Sequence, residues 1–196
     1  MEMKLSRNGL ELIKQFEGLR LKAYKCLSSE RFYTIGYGHY GADVYEGMVI
    51  TEAEAESMLM ADCDKFVSHV NTYQNIYNFN QNEFDALVSF AYNVGNIRQL
   101  TQRGTRAKKD IPVHMIEYCK AGGVKLNGLV RRRNAEIELF NRPVVIKPVN
   151  LKDNNTIALE VIQGKWGNGN ARKQRLTEAG YNYREIQSRV NEMLRI

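Results

Sequence analysis

The sequence predicts an α+β protein: a mostly helical body with one small antiparallel sheet near its N-terminus, followed by a small helical tail. Three observations carry this. Apolar residues at helical spacing, opened by capping residues, recur over most of residues 6–142. One stretch, 24–50, is instead rich in Tyr, Ile, Val and Gly, which suits short strands joined by tight turns. Two of the three prolines fall in Arg142-Pro143-Val144-Val145-Ile146-Lys147-Pro148-Val149-Asn150, where proline favours extended chain. This linker divides the chain into expected domains 1–145 and 146–196, and the second is too small for a large core.

Ser6 is a candidate N-cap for a helix that turns Leu10, Ile13 and Phe16 toward the core. Thr51-Glu52-Ala53-Glu54 reads as a capping box opening a helix through Met58, Leu59 and Phe66. Asn80-Gln81-Asn82-Glu83 repeats that logic before FDALVSFAYNVG, which closes at Gly95. A further helix is expected around 112–120, stopped by Gly122-Gly123. A last one, 128–141, carries Leu129, Val130, Ile137, Leu139 and Phe140 beside the basic run Arg131-Arg132-Arg133. The tail reads as three helices separated by glycine turns. Ile157, Val161 and Ile162 face one side, and Leu176, Tyr181, Ile186, Val190 and Leu194 close a small core.

Apolar residues at 43% and charged ones at 26% are ordinary for a globular protein. No apolar run approaches the ~20 residues of a membrane span, and stable membrane insertion is not expected. The opening MEMKLSRNGLELIKQFEG lacks the apolar core of a secretory signal, so synthesis and folding in a cytoplasm are expected. The net charge of +6 is concentrated in residues 146–196, where nine basic side chains face five acidic ones. That excess suits an anionic polymer, and no DNA- or RNA-binding signature accompanies it, so nucleic acid is not the expected partner. Cys26, Cys63 and Cys119 cannot all pair and are expected as free thiols, the latter two buried in helices. His39, His69 and His114 are scattered, no HExxH or CxxC is present, and neither metal nor cofactor is expected.

The most informative stretch is 16–41, FEGLRLKAYKCLSSERFYTIGYGHYG. A helix end delivers Glu17, a polar turn delivers Cys26, and a strand-like run delivers Thr34. A carboxyl at a helix end opposite a reactive group on a hairpin gives a cleft its acid and its base on facing walls. A thiol, only a few per cent ionised at pH 7 when unperturbed, needs neighbouring positive charge to act as base or nucleophile. Lys22, Lys25 and Arg31 are close in sequence to Cys26. Glu30 is the rival for the second group, being a carboxylate already.

This stretch resembles the active-site segment of phage-type lysozymes, the T-even phage lysozyme family (glycoside hydrolase family 24). NQNEFDALVSFAYNVG and GLVRRRNAEIELF look like two further helix motifs of that family, in the same order. The family pattern is a Glu, eight residues, an Asp or Cys, five residues and a Thr; here eight residues precede Cys26 and seven precede Thr34. The resemblance implies a lysozyme-like body that hydrolyses the β-1,4 bond between N-acetylmuramic acid and N-acetylglucosamine in peptidoglycan, with inversion. Glu17 would be the general acid, Cys26 the second catalytic group, and Thr34 the residue that positions water or Cys26. Tyr33 and Tyr37 would offer surface to the sugar. A general acid must hold its proton near neutral pH, which burial of a carboxyl favours.

In the tail, GKWGNGxxRKxRLxxAGYxYxxIQxxVN is similar to the CW-seven cell-wall-binding repeat. That likeness implies a muropeptide ligand, with Trp166, Gly167, Asn168, Arg172 and Arg175 as candidate contacts. Together the resemblances imply an endolysin that accumulates in the host cytoplasm and reaches the wall through a holin-like membrane permeabiliser. The alternatives are a bacterial autolysin or prophage muramidase, and a peptidoglycan-binding protein without turnover.

Overall fold

The computed structural model describes residues 2–144 and 152–194. The chain divides into two compact units, Met1–Val144 and Val145–Ile196. Most of the proline-flanked linker, residues 145–150, lies outside the described residues.

The first unit opens with α1 (Arg7–Glu17). Ser6 caps it, its Oγ accepting from the Asn8 N–H at 3.2 Å, while the Ser6 N–H donates to Asp85 at 2.9 Å. Gly9 is required where α1 crosses the fourth helix, because a Cβ there would sit 2.8 Å from Asp85 Cβ. Gly18, at φ 71°, ends the helix in a conformation that favours glycine and turns the chain into the sheet.

That sheet comprises β1 (Arg20–Tyr24), β2 (Tyr33–Gly36) and β3 (His39–Gly41), antiparallel in the order β1-β2-β3. Tyr24 pairs with Thr34, and Thr34 with Tyr40. The sheet therefore starts four residues before the expected 24. Arg20-Leu21-Lys22-Ala23 does alternate polar and apolar side chains, but the run is short and its first three residues are all exposed, so its alternation marks no buried face.

Both expected capping boxes form, at Thr51/Glu54 opening α2 (Glu52–Asn71) and at Asn80/Glu83 opening the fourth helix. Between them lies the single turn α3 (Gln74–Tyr77). The fourth helix, α4 (Gln81–Val94), is the axis of the body: every residue from Asn82 to Ala91 is buried, and Gly95 caps its end. The expected helix at 112–120 is shorter. It forms α5 (Ile111–Met115) and one 3₁₀ turn (Ile116–Tyr118) before β4 (Lys120–Ala121) and β5 (Val124–Lys125). Gly122 (φ 56°) and Gly123 (φ 80°) form the two-residue loop of this hairpin and do not stop a helix. The last helix, α6 (Asn127–Asn141), packs mainly on α4 and buries Leu139 and Phe140, but also Arg132, Arg133 and Glu136.

The second unit is α7 (Asn154–Ile162), α8 (Gly169–Glu178) and α9 (Tyr183–Leu194). Ile157, Ala158, Val161, Leu176, Ile186 and Val190 form its core, with Trp166 and Tyr181 packed against them. Ile162 and Leu194, expected in that core, are 41% and 61% exposed. They fall off the buried stripe. Cys63 and Cys119 are buried and free as expected, but Cys119 follows the 3₁₀ turn and does not lie in a helix; Cys26 is free and exposed. No helix among the described residues is long and apolar enough to cross a membrane.

Candidate active site

Glu17 ends α1 with its side chain 23% exposed, at the junction of two recesses. One, about 380 Å³, runs against the sheet between Glu17, Arg20, Tyr24 and Gly36. The other, about 580 Å³, runs between Phe16, Asn93, Leu129 and Arg132. A groove that passes on both sides of one carboxyl can seat an extended chain with a bond beside that carboxyl.

Arg132 holds Glu17 from α6. Its Nη1 donates to Glu17 Oε1 at 2.5 Å, its Nη2 to the Ser89 carbonyl at 3.3 Å, and its guanidinium lies 5.7 Å from the centre of the Phe16 ring. The floor behind Glu17 is held in neutral form. Burial, then the charges of Glu17 and Asp62, push the Tyr92 phenol above its ordinary range. The Cys63 thiol is pushed up to about 12, by burial first and then by Asp62, Asp64 and Glu17.

Cys26 and Thr34 border neither recess, but Tyr24 connects them to it. Tyr24 lines the recess beside Glu17, pairs with Thr34 across the sheet, and its phenol is raised by burial and then by the neighbouring Cys26. Thr34 is 9% exposed in β2. Glu30 closes the turn that carries Cys26: its carboxylate accepts the Cys26 N–H at 2.9 Å, and its carbonyl accepts from Lys25 Nζ at 2.7 Å. Tyr33 is half-buried under Lys25 Nζ, 4.8 Å from the ring centre. Tyr37 does not offer the expected sugar-facing surface. It is 4% exposed in the core, and its carbonyl accepts from the Tyr92 hydroxyl at 3.4 Å.

His39 is a clamp between elements. Nδ1 lies 2.9 Å from Asp62 of α2, and Nε2 lies 3.0 Å from Asp43. Burial opposes its charge, yet the hydrogen bonds to Asp43 and Asp62 raise the imidazole above its usual value.

In the second unit the candidate contacts come together at the turn before α8. Arg172 Nε donates to the Gly167 carbonyl at 2.9 Å, and its Nη2 donates to Asn168 Oδ1 at 2.9 Å. Arg175 Nη1 packs 3.4 Å from where a Gly167 Cβ would sit. Trp166 Nε1 donates to Glu160 at 3.0 Å, and its ring meets Tyr181 edge to face.

Sequence reasoning missed Tyr24, Arg132, Arg133 and Glu136. The available signal was the spacing of Glu136 at i+4 from Arg132 and i+3 from Arg133, which places all three on one helix face.

The structure is similar to the endolysin of Escherichia coli O157:H7 phage FAHEc1, at a TM-score of 0.61 and 38% identity over 75% of this chain and 99% of that one. It is also similar to the muramidase domain of SpmX from Asticaccaulis excentricus, at a TM-score of 0.60 and 35% identity over 71% and 99%. The phage lysozyme family model matches residues 14–136 and the CW_7 repeat model matches residues 155–194; the chain belongs to the phage lysozyme family. It is 49% identical over 143 residues to the endolysin of Lactococcus phage c2, covering 72% of this chain and 62% of that protein. It is 45% identical over 145 residues to the endolysin of Bacillus phage B103, covering 70% and 54%. The chain thus spans less than two thirds of the length of these relatives.

Proposed function

We propose that the chain is an endolysin-type muramidase that hydrolyses the β-1,4 bond between N-acetylmuramic acid and N-acetylglucosamine in peptidoglycan during host lysis. Residues 1–145 are the catalytic domain, and 146–196 are the linker and wall-binding repeat. The carrying observation is Glu17, part-exposed between two recesses and in contact with Arg132. Its carboxyl protonates the leaving glycosidic oxygen while water attacks the anomeric carbon from the opposite face. Cys26 is the second group, and Thr34 and Tyr24 set the wall from which it acts. The engagement of Glu30 with the Cys26 backbone supports a structural role for Glu30. The Trp166–Arg175 cluster takes the wall muropeptide, and tethering raises the concentration of the groove at its substrate. The protein waits in the host cytoplasm and passes the membrane through a holin-like permeabiliser.

The test is release of reducing ends from purified wall. Glu17→Gln keeps the shape but has no acidic proton, so a loss of ~10²–10⁴-fold is expected. Cys26→Asp should keep substantial activity and Cys26→Ser should lose most. A Glu17→Gln protein within threefold of wild type sinks the assignment, and a wild type that sediments with wall yet releases no reducing ends is a binder.

A further inference from the structure

Behind Glu17 the body encloses a row of alternating charges: Glu17, Arg132, Glu136, Arg133. Arg132 Nε donates to Glu136 Oε1 at 3.2 Å, and Arg133 Nη2 donates to the same oxygen at 3.0 Å. Arg133 Nε lies 2.8 Å from Glu136 Oε2, out of line for a hydrogen bond. The Glu136 and Arg133 side chains are 0% exposed and Arg132 is 4% exposed. Ser89 Oγ also donates to Glu136 Oε1, at 2.8 Å, and Asn93 accepts from Arg133 Nη2 at 3.0 Å.

Every group described as facing Glu136 is a donor: two guanidiniums and a hydroxyl. Burial raises the carboxyl above its ordinary range, against the opposing pull of Arg133 and Arg132. A proton on Oε2 would point at an N–H, so the ionised form is the one this pocket fits. Glu136 then sets one negative charge against the two guanidiniums of Arg132 and Arg133.

We propose that Glu136 is a positioning residue that balances the charge of Arg132 and Arg133, so that Glu17 retains the proton it delivers to the leaving group. The inference rests on the reading of Glu17 as the general acid. A guanidinium in contact with a carboxyl favours its ionised form, and an unbalanced second one strengthens the effect. Glu136 draws the Arg132 Nε to its own side and leaves Nη1 for Glu17. The other titratable and charged groups described around Glu17 are Arg20 and Tyr24 of β1, Arg131 of α6, Cys63 of α2 and Tyr92 of α4, with Asp62 beside the last two. Substitution at Glu136 leaves all of them unchanged.

The experiment follows the pH profile of wall hydrolysis for the full chain. Glu136→Gln removes the charge and keeps the shape. Its alkaline limb should move about one unit lower, because one charge at this range in a protein interior is worth about that much. At a fixed pH on that limb the rate falls about tenfold relative to wild type and recovers one unit lower. A packing defect would instead lower the rate equally at every pH. Arg133→Gln removes the opposite charge and should move the limb to higher pH, and it supplies the reading if Glu136→Gln does not fold by circular dichroism. Limbs that stay within ~0.3 unit of wild type, or that move in the same direction in both variants, overturn the inference while Glu17→Gln remains dead. An active Glu17→Gln protein overturns the reading beneath it.

Discussion

Arg131, Arg132 and Arg133 are indistinguishable in sequence, yet the fold gives them different roles, and replacing them one at a time measures the difference. Arg131 is exposed. Arg132 is 4% exposed and donates to Glu17, Glu136 and the Ser89 carbonyl. In Arg132→Met the Ser89 carbonyl loses a donor, at about 1–3 kcal/mol for a buried polar group. Glu136 loses one of its two guanidiniums. Breaking a buried pair costs about 3–5 kcal/mol, and the lower half applies because Arg133 remains. Glu17 is part-exposed and takes water in exchange. The sum is about 4–7 kcal/mol, which for a unit of this size lowers Tm by about 12–25 °C. Arg131→Met should stay within ~0.5 kcal/mol, or about 2 °C. Well below Tm, wall hydrolysis by Arg132→Met should fall ~10–100-fold, because Glu17 loses the contact that aims it. Thermal denaturation of the three proteins, with reducing-end release well below their melting temperatures, reads both. An Arg132→Met protein that melts within about 2 °C of wild type would refute the view that this guanidinium joins α1, α4 and α6.

Two further predictions concern pH and wall binding. The imidazole of His39 is raised above its usual value, so its contribution is complete below about pH 6.5 and fades as pH rises through the folded-state value. The stability difference between wild type and His39→Gln, from denaturant midpoints, should therefore be larger at acidic than at alkaline pH, and a constant difference would remove the clamp. In the tail, Arg175 is exposed while Arg172 pins the Gly167 turn. Arg175→Gln should weaken wall sedimentation ~10-fold at low salt without changing the melting curve, whereas Arg172→Gln should lower both. Unchanged sedimentation of Arg175→Gln would take that residue out of the binding site.

What was legible in the sequence is what local chemistry decides. Ser6, Thr51/Glu54 and Asn80/Glu83 announce helix starts because a side chain three or fewer residues away satisfies the free N–H groups. Glu17 was found because it stands at the end of a helix-like run and heads the spacing, eight residues before Cys26, that resembles the lysozyme family's. The buried charges were not legible. Whether an arginine in a basic run faces water or a carboxylate depends on partners 40 to 115 residues away, Asn93 and Glu17 among them. Tyr37 was misread for the same reason, since a tyrosine in a glycine-rich hairpin carries no mark of which face the helices will cover. The Gly122-Gly123 pair was misread because a helix stop and a two-residue hairpin ask for the same left-handed glycine.

The two walls of the groove are fixed by different means. On the helical side α4 holds α1 near both ends: Asp85 takes Ser6 at the start, and Ser89 holds the arginine that grips Glu17 at the finish. Gly9 permits the close crossing between them. The proposed proton donor is therefore positioned by buried, rigid elements. On the sheet side Cys26 sits on a turn closed by contacts from Glu30 and Lys25, only five residues of sequence apart at most. Such a turn can lengthen without disturbing the core, because the pairing of Tyr24 with Thr34 on either side of it sets where the strands resume. The seven residues between Cys26 and Thr34 thus alter the reach of the thiol while leaving Glu17, Arg132 and Thr34 in place, and the proposed second catalytic group is the part of this site most open to change by sequence.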